Sequence, residues 1–259
     1  REIGDKRNEG IHLGNLGGLH QEQGQHDKAA EHFTQAIDIA REIGAKLSEG
    51  INLGNLGIVY KNQGQYDQAV EHFTQAIDIA REIGDKRTEG SHLGNLGDIL
   101  FQQNRLEEAE DAFRKSIPIG DETFPIAAGA FRGSLALLLA QQNQFDEARE
   151  LLKIGEPQVA THPGEQAKFL CKKGHAQLLA GEPTAAQDSL DQAKVLAIEH
   201  KLGDDSEVAE AISELAALIE SPGEPADEEP DDALIEAARL MELGNIEREH
   251  TNYDESLRC

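Results

Sequence analysis

Apolar positions recur along this chain at the spacing of one helix face, stop at a turn signal, and resume. Leu53, Leu56, Gly57 and Tyr60 share one side of a helix, "NQGQYD" (Asn62 to Asp67) interrupts it, and Ala69, Phe73, Ala76, Ile77 and Ala80 line one face of the next. Gly64 suits the end of the first helix, and Gly44 and Gly84 the ends of second helices, because glycine takes a left-handed backbone without a Cβ clash. The pattern predicts helix, turn, helix.

That pattern is restated every forty residues. Arg1 to Ala40 and Arg41 to Ala80 are identical at 28 of 40 positions, and Arg81 to Gly120 keeps 17 of 40 against the second copy. "LGNLG" stands at Leu13, Leu53 and Leu93. A period of about 20 to 50 residues signals a stacked repeat array, because no single hairpin can bury its own apolar face. Further on, "QNQFDEARELL" (Gln142 to Leu152) and "AGEPTAAQDSLDQA" (Ala180 to Ala193) mark two more second helices, which puts first helices near 126–141 and 165–179. Ser206 to Glu220 adds an amphipathic helix.

The spacing of Leu56-Gly57, Tyr60, Ala69, Phe73 and Ala76 resembles the tetratricopeptide (TPR) signature, with Leu53 where that family often has Trp. The first copy departs at His20, and the third at Leu100 and Ser116. The forty-residue period and "LGNLG" itself look like the long repeats of kinesin light chains, Pins-type spindle-orientation adaptors and bacterial TPR regulators. The resemblance implies an all-α, right-handed α-solenoid of stacked helix-turn-helix units. Residues 1–220 would hold about five repeats and a further helix, 221–232 ("SPGEPADEEPDD") an acidic Pro-containing linker, and 233–259 a partial repeat in which Gly244 and Tyr253 keep the phase.

Composition narrows the function classes. Net charge is −25, and from Glu199 to Cys259 there are 19 acidic and 4 basic residues. Nucleic-acid contact rests on clustered Lys and Arg, so a protein partner with basic segments is the better expectation, beside the plainer role of keeping an array soluble. No apolar run approaches a membrane span and no signal-peptide pattern is visible, which suggests a cytoplasmic protein. Cys171 and Cys259 make no disulfide framework.

Catalytic and metal-binding patterns are missing from the sequence. His32 and His72 come with the duplicated "EHFT", and His12 and His92 vary a site that reads Asn52 in the second copy. "GNLGG" at Gly14 lies inside a helical repeat with no preceding strand, which removes its meaning as a phosphate loop. The expectation is a non-enzyme with no cofactor.

A binding surface remains. At 100° per residue, Ile51, Asn55, Ile58 and Asn62 fall opposite the packed stripe and should line the concave groove that solenoids use for ligands. The equivalent stripes are Ile11, Asn15, Gly18, Glu22; Ser91, Asn95, Asp98, Gln102; Ala130, Ser134, Leu137, Gln141; and Lys168, Lys172, His175, Leu179. Asn15, Asn55 and Asn95 form a ladder whose carboxamides can both donate to and accept from a peptide backbone. The resemblance to the adaptors carries a peptide-gripping role to these three residues, while a bond to a neighbouring helix is the structural alternative. Gly54 could leave room for a ligand backbone beside Asn55 or serve helix packing. Lys168 and Lys172, one turn apart, resemble the carboxylate clamps of some TPR domains; solvated surface lysine is the alternative.

Three readings of function follow: a scaffold that binds an extended peptide segment of a partner, a ligand-responsive regulatory domain of a larger protein, and a self-assembling structural array.

Overall fold

The computed structural model describes residues 3–202 and 207–220. The expected linker and partial C-terminal repeat, 221–259, lie outside the described residues, as does most of the segment before the last helix. Ten helices form five hairpins: α1 (Ile3–Glu22) with α2 (His26–Glu42), α3 (Lys46–Asn62) with α4 (Tyr66–Ile83), α5 (Lys86–Gln102) with α6 (Leu106–Thr123), α7 (Pro125–Gln141) with α8 (Phe145–Val159), and α9 (Pro163–Leu179) with α10 (Pro183–Glu199). A single further helix, α11 (Glu207–Glu220), follows. The array is an all-α, right-handed solenoid of TPR-like units.

Each hairpin turn is closed by the same device. Gly24, Gly64 and Gly181, with φ between 68° and 76°, and Asn104 and Asn143, in the same left-handed backbone, close the five hairpin turns, and Gly44, Gly84 and Lys201 adopt that backbone after second helices. After α3, the Gly64 N–H donates to the Lys61 carbonyl at 2.9 Å and the Gln65 N–H to the Tyr60 carbonyl at 2.8 Å, which satisfies carbonyls the helix leaves open. Proline at the start of α7, α9 and α10 occupies the helical position that needs no N–H donor.

Inside each hairpin a phenylalanine meets a glycine. Phe33, Phe73 and Phe113, on the second helices, are fully buried. A β-carbon on Gly17, Gly57 or Gly97 would lie 2.7 to 2.9 Å from the corresponding ring, so only glycine lets the first helix approach so closely. This explains the second glycine of "LGNLG". Ser116, which departs from the small alanine of the repeat signature, is buried and donates to the Gly90 carbonyl at 2.7 Å.

Successive repeats pack unequally on their two sides. Among α1–α10, first helices pack backbone to backbone on the first helix of the next repeat (α1 with α3, α3 with α5, α5 with α7, α7 with α9), whereas successive second helices stand further apart and are bridged by long side chains, such as Arg114 of α6 to Glu147 of α8 at 2.8 Å. The array therefore curves with the first helices on its inner wall. Arg41 bonds Glu49 and Arg81 bonds Glu89, each at 2.8 Å, forty residues apart, so the same ion pair joins one repeat to the next twice. In the fourth repeat the polarity is swapped: buried Arg132 holds Asp121 through two bonds of 2.6 Å and Gln158 through one of 2.7 Å. This pair keeps the Asp121 carboxyl below the usual range.

Candidate functional site

The inner wall encloses a groove of about 2060 Å³. Its lining takes Ile58 and Asn62 from α3, Asn95 and Asp98 from α5, Ser134 and Leu137 from α7, and Lys168 and Lys172 from α9. Six of the nine candidate residues thus share one surface, because the 100° advance of the helix brings the predicted stripe of each first helix to the same side. The other three lie elsewhere. Asn55 is half-buried on α3 and Asn15 is exposed on α1, neither of them on the groove lining.

Gly54 is buried, and the structure assigns its space to packing. A β-carbon there would lie 2.2 Å from Cε1 of His92, which descends from α5. The same relationship repeats along the array: Gly14 receives Asn52, Gly94 receives Phe131, and Gly133 receives Phe169. The variable position that reads His, Asn or His in the three closest copies is therefore a knob, and the first glycine of "LGNLG" is its hole. The ligand-backbone reading of Gly54 is corrected by this contact.

Toward the fifth repeat the groove wall is polar and internally bonded. Ser134 is 1% exposed; its hydroxyl donates to Asp98 Oδ1 at 2.7 Å and accepts from Lys172 Nζ at 2.6 Å, linking three repeats through three side chains. Ser134 and Leu137, expected on the open stripe, line the groove but are themselves buried. Lys168 bonds Glu165 at 2.7 Å and Glu207 of α11 at 3.0 Å. Burial lowers the Lys168 ammonium, but these carboxylates more than offset it and hold the group above its ordinary value.

α11 completes the groove. Val208 and Leu215 are buried against Ala167, Leu170 and Cys171 of α9, while Glu210, Ser213 and Leu218 face the groove. Leu215 fills the space over Gly174. Cys171 is buried and its thiol is pushed up to about 12, which leaves it protonated and poorly nucleophilic. Among the described residues, no group of three or more His, Cys, Asp or Glu is placed to hold a metal ion, and no helix is long and apolar enough to cross a membrane.

Two features of this site escaped the sequence reading. The Asp98–Ser134–Lys172 chain joins residues 36 and 38 apart, and only the near-forty-residue phase aligns them. The Lys168–Glu207 contact depends on where α11 packs, which no motif specified.

A model of the MalT-like TPR region matches residues 7–163. No curated protein sequence matches the chain. Solved structures share the fold at low identity. BtubC (BKLC) of P. vanneervenii is 18% identical, with a TM-score of 0.62 over 77% of this chain and 88% of that one. The nearly identical TPR-like repeats of a Podospora anserina protein named for kinesin light chain are 20% identical, with a TM-score of 0.59 over 74% and 96%. Aspartyl phosphate phosphatase F of Bacillus subtilis is 17% identical, with a TM-score of 0.66 over 83% of this chain and 60% of the phosphatase.

Proposed function

The chain belongs to the MalT-like TPR family, and from that premise we propose that it is a binding module, not an enzyme, whose inner groove takes an extended peptide segment of a partner protein. The observation that carries this reading is the gathering of Ile58, Asn62, Asn95, Asp98, Lys168 and Lys172 on one groove wall. Ile58 supplies apolar area and Asn62 and Asn95 supply paired donors and acceptors, a combination suited to a peptide main chain. Asn55 and Asn15 continue the ladder along the first helices toward the N-terminal repeat, where exposed Ile11 and Ile51 flank them. The acidic balance of the chain favours partners with basic segments at long range and disfavours nucleic acid. We place the protein in the cytoplasm.

The test is capture on the immobilised chain, run in parallel with the variant carrying Asn15→Ala, Asn55→Ala and Asn95→Ala. Each lost hydrogen bond costs about 0.5 to 1.5 kcal/mol, so affinity for a captured partner should fall at least about tenfold while the melting curve stays in place. Undiminished binding by the triple variant would place the ligand elsewhere on the array.

A second reading, a ligand-responsive regulatory domain, draws on α11, which walls one side of the groove with Glu207, Glu210 and Glu214 and would have to respond to an occupant. Full-length sequence with an attached effector domain would favour it. Self-assembly through the ends of the array is tested by mass measurement across a dilution series.

A further inference from the structure

We propose that the junction between the second and third repeats is an acid-sensitive joint, with His92 as its trigger: acidification frees the first two repeats as a unit from the remaining three and so divides the inner groove. The consequence for binding rests on the groove being the ligand surface, whereas the joint itself does not.

Four successive junctions use one device, a side chain of a first helix set over a glycine of the preceding first helix, but the four side chains differ in chemistry. At the first junction Asn52 stands over Gly14, and its amide donates to the Ser48 carbonyl at 2.8 Å. At the third and fourth the knobs are Phe131 over Gly94 and Phe169 over Gly133, which have no polar atom to satisfy. At the second the ring of His92 fills the space over Gly54, and neither of its nitrogens has a hydrogen-bond partner. A neutral imidazole serves there as an aromatic filler. An imidazolium carries a charge and two N–H donors into the same space, and a buried charge without partners is costly.

The surroundings offer that cation no acceptor. On α3 the residues beside the socket, Leu53 and Asn55, are uncharged, and α4 presents Phe73, whose ring centroid lies 5.6 Å from that of His92. Arg81 of α4 and Lys86 of α5 are both engaged by Glu89, at 2.8 and 2.7 Å. Asp85, at the start of α5, attracts the ring but is itself bonded to the Thr88 N–H and hydroxyl at 3.1 and 2.6 Å. Those bonds hold the Asp85 carboxyl below its usual range; burial raises that of Glu89, but Lys86 and Arg81 more than offset it. Both acids therefore stay ionised at pH 5, and of these groups the imidazole alone changes charge on the way there from pH 7. His32 and His72 stack on His20 and Tyr60 within their own hairpins, not across a junction.

Opening the joint hydrates the ring and returns it from about 4 to its ordinary 6.5. The opening equilibrium then shifts toward the open form by about twentyfold between pH 7 and pH 5. In a repeat array such a change acts locally, because each unit contacts only its neighbours. The groove takes Ile58 and Asn62 from α3 on one side of the joint and Asn95 and Asp98 from α5 on the other. An occupant that spans both sides is accordingly held less tightly in acid.

The test is native-state hydrogen exchange of the full chain at pH 7 and pH 5, in a series of urea concentrations below the unfolding transition and with intrinsic rates divided out. Slow amides of α1–α4 should show a shallower urea dependence than those of α6–α10, the mark of a partial opening that exposes less surface. Their protection should fall about twentyfold in acid. His92→Asn copies Asn52 and can donate to the Thr88 carbonyl, and His92→Phe copies Phe131; each should hold the fall below about threefold, while His72→Phe leaves most of it in place. The two His92 variants differ in chemistry, so the test stays readable if one does not fold. A single urea dependence shared by α1–α4 and α6–α10 at both pH values, or an acid loss that persists in both His92 variants, overturns the joint. No ligand enters the measurement, so either result leaves the groove reading to be decided by its own capture experiment.

Discussion

His92 of the third repeat occupies the space above Gly54 of the second, its ring so close that a β-carbon on Gly54 would lie 2.2 Å from Cε1. The contact is one step of a ladder: Asn52 stands over Gly14 with Oδ1 at 2.8 Å from the same construction, and Phe131 over Gly94 with ring carbons from 2.1 Å. Replacing helical glycine by alanine gains about 1 kcal/mol of helix propensity, and overpacking a tight contact costs about 1 to 3 kcal/mol. The sign therefore depends on the neighbour. Gly14→Ala meets the far end of a flexible side chain and should be near neutral, while Gly54→Ala and Gly94→Ala meet rigid rings and should lower the melting temperature. Gly18→Ala, with nothing within 4 Å, should raise it. Thermal melts of the four variants check the order, and a destabilised Gly18→Ala together with neutral Gly54→Ala and Gly94→Ala would refute the knob-and-hole account.

The knob position also predicts a pH dependence. Burial lowers the His92 imidazole to about 4, against a smaller opposing pull from Asp85, and neither ring nitrogen has a hydrogen-bond partner. Because the folded pKa lies below the unfolded value of about 6.5, the unfolded chain binds the proton first, so stability falls as pH drops from about 6.5 to about 4 and levels off below that. The full effect is about 3 kcal/mol. His72, stacked on Tyr60 and lowered by burial, acts in the same direction. His92→Phe, which copies the residue that Phe131 presents at the equivalent place, should remove most of the slope in urea titrations between pH 6.5 and 4.5.

The legibility of this molecule in its sequence follows the period. Repeat boundaries, turn glycines and the buried Phe73 face could be read because each is stated two or three times in one phase. The double role of the two glycines in "LGNLG" could not. Both lie on one helix, and only contact with the next repeat shows that Gly57 receives Phe73 from its own hairpin while Gly54 receives His92 from its neighbour. The groove was half-legible: the 100° rule aligned Asn95, Asp98 and Lys172, but the bonding of Asp98 and Lys172 through Ser134 depends on how the third, fourth and fifth first helices pack, which periodicity alone does not specify.

Phe73 tests the core directly. Its side chain is fully buried between helices of its own repeat and the next, against Gly57, Ile99 and Tyr60. Truncation leaves a ring-sized void in a close-packed stack. Phe73→Ala should cost about 3 to 5 kcal/mol, measured by chemical denaturation, and a loss below 1 kcal/mol would mean that the repeat collapses around the gap.

Arg132 and Asp121 join the third repeat to the fourth. The guanidinium is largely buried and its Nε has no partner, so it relies on the two bonds to Asp121 and the one to Gln158. Removing the acid strands a buried charge, whereas removing both members does not. Asp121→Asn should therefore destabilise by about 1 to 3 kcal/mol, and the double variant Asp121→Asn with Arg132→Leu should recover part of that loss. Additive losses in a double-mutant cycle would show that the pair is not coupled.

Ser134 offers a way to weaken the groove wall without touching its charges. Its hydroxyl donates to Asp98 and accepts from Lys172, which otherwise face each other at 4.0 Å with side chains 23% and 34% exposed. Ser134→Ala removes both bonds but leaves two opposite charges near enough to attract and open enough to be hydrated. The stability cost should thus be modest, about 1 kcal/mol, less than that of truncating a core residue such as Phe73. The positional consequence is larger. Without the hydroxyl, Lys172 loses the contact that fixes its ammonium between the third and fifth repeats, and hydrogen exchange in α9 should quicken while that in α1 and α3 stays unchanged. If Ser134→Ala leaves exchange in α9 unchanged, Lys172 is positioned by the direct attraction of Asp98, and the serine is only a filler of the wall.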